Sequence, residues 1–310
     1  MRRTMTRATR RHSAVLSSPL LWLATVVMLV AGSGASCPGV LRGYQVGIMP
    51  LPRMLPAQPT REQIITAIED NTSRVRSYMA SQAVLSVPGV PRLSAQVACE
   101  PPRRFRLRAQ TSLTGNELDL GSNDDLFWLW IRRHEPPIML FCRHDQYDQS
   151  SARRLLPIRA DWFPELLGLV RFDPSDRHEG PFTVADGRFE IRSTIDSPDG
   201  PLLRSTILHP TTGLVEEQHL FTAGGERLAS VRTSRHRVDP TSGAALPRLV
   251  EVSWPASGVE FKLELTSLVT NAPAADPGQL WQMPAYEGYE PVDLADPTVM
   301  ITPVGGPADH

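Results

Sequence analysis

Residues 126–131 read Leu-Phe-Trp-Leu-Trp-Ile, and this short run sets the architecture expected for the rest of the chain. It is apolar on both faces, and residues 138–141 (Ile-Met-Leu-Phe) form a similar run. A strand of this kind is buried on both sides, or it faces a core on one side and a cavity on the other. The run therefore predicts the centre of a β-sheet protein.

Strands with a single apolar face extend outward from this run. Leu93, Ala95 and Val97 alternate with polar residues, as do Phe105, Leu107 and Ala109. After residue 171, turn signals recur at intervals that leave strands of roughly 6–10 residues, the spacing of an antiparallel meander. These signals are Asp186-Gly187, Asp199-Gly200, Thr211-Thr212-Gly213, Gly224-Gly225, Ser242-Gly243 and Ser257-Gly258.

Two helices are predicted beside the strands. Thr60 and Gln63 form a capping-box pattern at the start of the first. Its apolar residues at helical spacing are Ile64, Ile65, Ile68, Val75 and Met79. The second helix is expected over residues 160–171, with one face formed by Trp162, Phe163, Leu166, Leu167 and Val170.

These elements predict one mainly β (α+β) domain over residues 60–283. A sheet this long curls, and helices with one apolar stripe are expected to cover its concave face. The enclosed space is either packed core or a ligand cavity. Residues 37–59 predict a proline-rich tether, and residues 284–310, rich in proline, acid and glycine without a period, predict a disordered tail.

The N-terminus has the pattern of a secretory signal. Five arginines precede an apolar segment at residues 20–30, and Gly34-Ala35-Ser36-Cys37 follows. The cysteine after small residues predicts a bacterial lipoprotein signal over residues 1–36, with Cys37 carrying lipid. An ordinary signal peptide or an uncleaved anchor helix is the alternative, although the apolar run is short for a membrane span. All three readings place the domain at the cell envelope.

Charge and cysteine content fit that location. Without residues 1–36 the chain keeps 27 basic and 33 acidic residues, a net charge near −6, and no basic stripe indicates nucleic-acid binding. Cys99 and Cys142 remain as an even pair in an oxidising compartment. They predict either a cross-strand disulfide or two separately buried thiols.

Several segments resemble the LolA/LolB-like lipoprotein carriers and acceptors. Residues 101–107 (PPRRFRL) and, about 20 residues later, 124–130 (DDLFWLW) are similar to that family's proline-led arginine/phenylalanine strand and its tryptophan-bearing apolar strand. Residues 208–217 (LHPTTGLVEE) and 224–231 (GGERLASV) resemble its later strand–turn–strand units. The order of helix, strands, inserted helix and strands also agrees over roughly residues 60–283.

The resemblance implies an incomplete antiparallel barrel, a helical lid and an apolar cavity for the acyl chain of a lipoprotein or lipid. The soluble carriers place an arginine just before the proline, where it holds the lid. Pro101 stands there in this chain and has no side-chain donor. Arg103, Arg104 and Arg106 are candidate substitutes, with solvated strand arginines as the alternative.

Aromatic and aliphatic residues of the apolar runs are the candidate cavity lining. An acyl chain gains about 0.8 kcal/mol per buried methylene, so an apolar and dry wall is sufficient to bind it. Strand residues alternate, so at most half of residues 126–131 can face one cavity. The candidates, for which ordinary core packing is the alternative, are Leu126, Trp128, Trp130, Trp162, Phe163, Leu166 and Phe105.

The sequence predicts no enzyme, metal site or cofactor. It lacks a Gly-x-Ser-x-Gly elbow, a His-Glu-x-x-His pair and a phosphate-binding glycine loop. Cys142 and His144, with His134 and Asp145 nearby, are too few for the three or four ligands of a metal site. The cluster of Asp173, Asp176, His178 and Glu179 is typical of a solvated loop.

The sequence therefore predicts a lipid-anchored protein on the periplasmic side of the outer or inner membrane. Its partner is expected to be an acyl chain, held by burial alone in lipoprotein or lipid transport. The alternative is an envelope interaction or sensor scaffold of the same fold that binds a protein partner and no lipid. An open apolar pocket favours the first, and a filled core with an exposed apolar patch favours the second.

Overall fold

The computed structural model of the chain describes residues 49–155, 159–255, 258–273 and 276–299. The predicted signal peptide, the lipidation site Cys37 and the first part of the tether lie outside these residues, as do residues 300–310. Within the described ranges, no helix combines the length and the apolar character needed to cross a bilayer.

One open, curled sheet of fourteen strands dominates the fold, in the order β16-β6-β5-β4-β3-β2-β1-β15-β14-β11-β10-β9-β8-β7. Neighbouring strands are antiparallel except β16, which runs parallel to β6. A separate two-stranded sheet joins β12 to β13. The strands are Tyr78–Ser86 (β1), Leu93–Glu100 (β2), Arg104–Thr111 (β3), Gly115–Ser122 (β4), Leu126–Ile131 (β5), Ile138–Arg143 (β6), Arg177–Thr183 (β7), Phe189–Ile195 (β8), Leu202–Leu208 (β9), Val215–Thr222 (β10), Arg227–Ser234 (β11), Arg237–Val238 (β12), Ala245–Leu246 (β13), Leu249–Trp254 (β14), Val259–Thr270 (β15) and Glu290–Asp293 (β16).

The predicted antiparallel meander is confirmed. Each glycine turn predicted after residue 171 lies between two strands that are consecutive in the chain. Gly213 and Gly225 have the positive φ that their turns require. The predicted curled, mainly β architecture is confirmed with them.

The side-chain alternation of the strands divides the sheet into two faces. Val97 lies opposite Leu107, Leu107 opposite Leu120, and Leu120 opposite Leu129, so these residues point to the same side. We call this side the inner face, because the helical segments cover it and the largest core cluster lies on it. The other side is the outer face.

The first helix, α1, spans Arg61–Ser73 and begins with the predicted capping box between Thr60 and Gln63. Ile64 and Ile68 are buried against a second core cluster. The helix is shorter than its apolar pattern suggests: Val75 follows its end, and Met79 lies in β1. Both are apolar because the sheet, rather than the helix, contacts them.

Between β6 and β7, the described residues 144–155 and 159–176 form short pieces instead of the predicted second helix. These pieces are 3-10 turns at Tyr147–Gln149 and Ala160–Trp162, and the short helices α2 (Ala152–Leu155) and α3 (Phe163–Leu166). Gly168 has a φ of +84°, which ends helical geometry. We call residues 144–176 the inserted segment.

Residues 284–299, predicted to be part of a disordered tail, instead belong to the fold. The helix α4 (Pro277–Leu280) precedes them, β16 pairs with the edge strand β6, and Leu294 is buried. Their lack of periodicity reflects a chain that crosses a surface instead of forming a regular element. We call residues 276–294 the C-terminal strap.

Residues 49–59, the described part of the predicted tether, have no helix or strand, but they contact the domain. Leu55 is buried in the cluster beneath α1, and its backbone N–H donates to the carbonyl of Thr211 at 3.2 Å. The chain is therefore fixed to the sheet at least five residues before α1 begins.

Candidate functional site

The predicted cavity residues separate onto the two faces of the sheet. Phe105, Phe163 and Leu166 are buried in the inner cluster, where the rings of Phe105 and Phe163 lie 5.1 Å apart. Trp162 is partly buried and packs against the same cluster. These four residues hold the inserted segment against the inner face.

Leu126, Trp128 and Trp130 lie on the outer face, so the prediction that they line the same cavity as Phe105 is wrong. Trp128 and Trp130 form a separate cluster with Met139. The ring of Tyr286 from the C-terminal strap stacks on Trp130 with centroids 3.8 Å apart. The physical reason is the period of two: residues 126, 128 and 130 share one side, and Phe127 and Leu129 share the other.

A buried ion pair fixes the strap to the outer face. Arg106 donates from Nε and Nη2 to the two carboxylate oxygens of Asp119, at 3.1 and 2.7 Å. Trp128 Nε1 and the hydroxyl of Tyr286 also donate to this carboxylate. Arg106 Nη1 donates to the strap carbonyls of Gln279, Leu280 and Gln282.

Arg106, a candidate for holding the lid, therefore holds the strap on the opposite side. Arg104 lies at the surface, paired with Asp124 and Glu100. The inserted segment is contacted instead by an arginine that the sequence analysis did not select.

That residue is Arg204 on β9, which reaches the inserted segment from the inner face. Its Nη1 donates to the carboxylate of Glu165 at 3.0 and 3.2 Å, and its Nη2 to the carbonyl of Arg171 at 3.2 Å. Burial raises the pKa of Glu165, although the charge of Arg204 acts in the opposite direction. Gln218 adds a bond to the backbone carbonyl of Glu165 at 3.4 Å. The sequence signal was weak: Arg204 is one polar residue at an inward position of an otherwise ordinary strand.

Two hollows lie on the inner face beside the inserted segment. The larger, of about 260 Å³, lies between that segment, the β8–β9 turn and the β10–β11 turn. Its apolar walls are Trp162, Ile195, Leu202 and Leu228, and its rim carries Asp148, Arg153, Arg159 and Asp199. The smaller, of about 40 Å³, is lined by Trp162, Leu166, Leu220, Ala229, Val231 and Trp254, together with Glu165, Arg204, Gln218 and His219.

The remaining polar candidates do not converge. His134 Nδ1 contacts the carbonyl of Pro136 at 2.8 Å, His144 Nε2 contacts that of Asn123 at 2.8 Å, and Cys142 donates to Ser150. The backbone N–H of Ser175 donates a hydrogen bond to the carboxylate of Asp173, and His178 Nε2 contacts the backbone carbonyl of Asp173 at 2.9 Å. Within the described ranges, no three His, Cys, Asp or Glu side chains are grouped so that they could hold a metal.

Cys99 and Cys142 are both free and buried, and burial raises the pKa of each thiol. Three strands, β3 to β5, lie between β2 and β6 in the sheet. Of the two alternatives left by the sequence, the structure contains separately buried thiols, and the cross-strand disulfide is absent from it.

No protein-family model matches the chain, and no curated protein matches it. Among solved structures, the chain is similar to an outer membrane lipoprotein-sorting protein domain from Vibrio parahaemolyticus (8% identity, 71% of this chain and 97% of that chain, TM-score 0.46). It is also similar to a LolA superfamily protein from Nitrosomonas europaea (11%, 71% and 97%, TM-score 0.42) and a DUF1329 family protein from Desulfovibrio piger (13%, 70% and 99%, TM-score 0.43). The resemblance to the LolA superfamily is remote and concerns the fold alone.

Proposed function

We propose that this protein binds an acyl chain on the inner face of its sheet, at the cell envelope and without covalent chemistry. The observation that carries the proposal is the 260 Å³ hollow beside the inserted segment, with Trp162, Leu202 and Leu228 in its wall. It is concave and partly apolar, and the described residues of the inserted segment beside it form short 3-10 turns and helices.

Burial of methylenes provides the binding energy in this proposal. Each buried methylene contributes about 0.8 kcal/mol, so a few carbons in contact with Trp162, Leu202 and Leu228 are enough for measurable binding. The charged side chains of Arg153 and Asp199 stay paired at the rim, where water remains available to the polar end of the ligand. The size of the hollow, near the lower end for ligand pockets, favours a single chain over a bulky lipid.

The sequence of residues 1–37 supports the proposed location at the envelope. The lipoprotein signal pattern supports attachment to a membrane through lipid on Cys37. A domain fixed in this way would receive or hold an acyl chain next to the bilayer. We propose the role of an acceptor or holder in lipid or lipoprotein transport, with no catalytic residue.

Native mass spectrometry of the full chain, produced in a bacterial envelope and accompanied by lipid extraction, tests this function. We expect acylated material to co-purify with the wild type and to be lost from a Leu202→Glu variant, which places a charge in the hollow. Leu113→Glu is the matched control, because Leu113 is 93% exposed in the β3–β4 turn and does not line the hollow. A folded protein that is reproducibly empty and takes up no added fatty acid would refute the proposal.

A second candidate is binding of a polar protein partner, favoured by a larger open groove of about 690 Å³ at one end of β1, β11, β14 and β15. Charged residues of both signs line it: Arg92, Arg227, Arg232, Lys262, Glu251, Glu260 and Glu264. The same preparation tests it, because Arg92→Glu with Arg227→Glu would release a co-purifying protein and leave bound lipid in place.

A further inference from the structure

The two hollows of the inner face share one wall, the side chain of Trp162. The larger, which we call the outer hollow, lies between the β8–β9 turn and the β10–β11 turn, and the smaller, which we call the inner hollow, lies against β10, β11 and β14. Among the described residues, Trp162 of the inserted segment is the one that lines both hollows. The indole therefore ends the outer hollow where the inner one begins.

One side of the inner hollow is an apolar wall of the kind that an extended apolar ligand requires. Leu220, Ala229, Val231 and Trp254 are buried and come from neighbouring strands, so they form a continuous apolar strip. At about 40 Å³ the hollow has space for little more than one water molecule, and Glu165, Arg204 and Gln218 line it beside the apolar strip. It is too small to bind an acyl chain by itself, and it can hold carbons of a chain only if it is joined to the outer hollow.

The position of the indole is defined by its neighbours. Trp162 ends a 3-10 turn and directly precedes the helix α3. The guanidinium carbon of Arg204 lies 6.0 Å from the centre of the indole, and Arg204 is itself held by Glu165 of α3. The ring therefore also separates this buried ion pair from the outer hollow.

We propose that Trp162 sets the length of the acyl chain that the protein accepts, by closing the outer hollow against the inner one. This inference rests on the proposed function and goes further, because it names the residue that determines chain length. A chain that reaches the indole has no more apolar surface to bury, and additional carbons remain in water. Removal of the indole connects the two hollows, so that further carbons can reach Val231 and Trp254.

Affinity as a function of chain length measures this directly. One buried methylene contributes about 0.8 kcal/mol, which is about a fourfold gain in affinity. For the full-length wild type, we expect the affinity for octanoate, decanoate, dodecanoate, tetradecanoate and hexadecanoate to rise and then level off. For Trp162→Ala we expect the rise to continue for at least one more two-carbon step, a further gain of about 15-fold.

A second substitution distinguishes a longer site from a looser protein. Ala229 lines the inner hollow and does not line the outer one. Ala229→Leu fills the inner hollow, so Trp162→Ala combined with Ala229→Leu should return the levelling-off point to that of the wild type. If Trp162→Ala fails to fold, Trp162→Leu is tested in its place, with a smaller shift in the same direction.

The possible results separate this inference from the proposed function. A longer limit in Trp162→Ala that Ala229→Leu reverses supports the inference. A wild type that binds the fatty acids, with an unchanged limit in Trp162→Ala, overturns the role of Trp162 and leaves the proposed function standing. A wild type that binds none of them overturns the proposed function, and the inference with it.

Discussion

The inner and outer faces of the sheet each use one buried arginine–carboxylate pair to hold a segment of chain, but the two pairs differ in how completely they are hydrogen-bonded. On the outer face, Asp119 accepts bonds from Arg106, Trp128 and Tyr286. On the inner face, Arg204 is the side-chain donor to the carboxylate of Glu165, the backbone of Arg171 also hydrogen-bonds it, and Arg204 Nε has no partner among the described residues. The same pair of charges is therefore enclosed in a complete network on one side and an incomplete one on the other.

This difference has an energetic meaning. Buried charges are costly to remove from water, and the mutual attraction of a pair offsets that cost only when further bonds satisfy both partners. The outer network meets this condition, so the C-terminal strap is expected to be a fixed part of the fold. The inner pair meets it partly, so the inserted segment is expected to be the more easily displaced of the two. That is the arrangement required if a ligand enters beside the inserted segment.

Removal of the outer carboxylate tests the stronger side of the comparison. Asp119→Ala leaves the guanidinium of Arg106 buried without its counter-charge and removes the acceptor of Trp128 and Tyr286. We expect a loss of about 3–5 kcal/mol in the free energy of unfolding, measured by urea denaturation.

The surface pair between Arg104 and Asp124 provides the control. The side chain of Asp124 is 64% exposed, so Asp124→Ala should cost less than about 1 kcal/mol. Similar small losses in the two variants would mean that the outer network does not hold the strap.

Packing on the outer face gives the next largest effect. A β-carbon at Gly121 would collide with the six-membered ring of Trp128, which is fully buried and bonded through Nε1 to Asp119. Gly121→Ala should therefore destabilise the protein by about 1–3 kcal/mol, observed as a lower melting temperature. Gly224→Ala, where the nearest neighbour is at an ordinary 3.6 Å, should be nearly neutral. Equal behaviour of the two variants would show that the indole can move aside.

The strands of the sheet could be predicted from the sequence, but the contacts that distinguish its two faces could not. The strand at residues 126–131 was predicted with its observed ends, because a run apolar on both sides is a local property. Which of its two sides meets the inserted segment is not local, and Trp128 was therefore grouped with Phe105 as candidate cavity lining although the two lie on opposite faces. Tyr286 contacts Asp119 across 167 positions of sequence, and its surroundings of proline and glycine are typical of a disordered segment. The second helix was predicted from a correct apolar spacing that Gly168 interrupts.

Replacement of both charges in each pair compares the two faces directly. Arg204→Met with Glu165→Leu removes an incompletely bonded pair, and the free energy of unfolding should change by less than about 1 kcal/mol in either direction. Arg106→Met with Asp119→Leu should cost clearly more, because Trp128, Tyr286 and three strap carbonyls all lose partners. Urea denaturation of the two double variants measures both quantities. If the inner exchange cost as much as the outer one, the two networks would be equivalent.

The dependence of the free energy of unfolding on pH gives the smallest effect, and its sign is expected to be opposite for Glu165 and Glu217. Burial raises the pKa of Glu165 above its ordinary 4.5, so its contribution to stability is present below pH 4.5 and is lost as the pH rises through the raised value. On the outer face, burial of Glu217 acts in the same direction, but bonds from Arg188 and His219 outweigh it and hold its pKa below 4.5. Its contribution is present above pH 4.5 and is lost as the pH falls.

We therefore expect the wild type to lose stability relative to Glu165→Gln as the pH rises from acidic to neutral. Relative to Glu217→Gln, we expect the wild type to gain stability over the same change. Unfolding free energies of the three proteins across that range give both signs. A wild type that gains on Glu165→Gln with rising pH would mean that Arg204 stabilises the charged carboxylate fully, and that the inner pair is as well satisfied as the outer one.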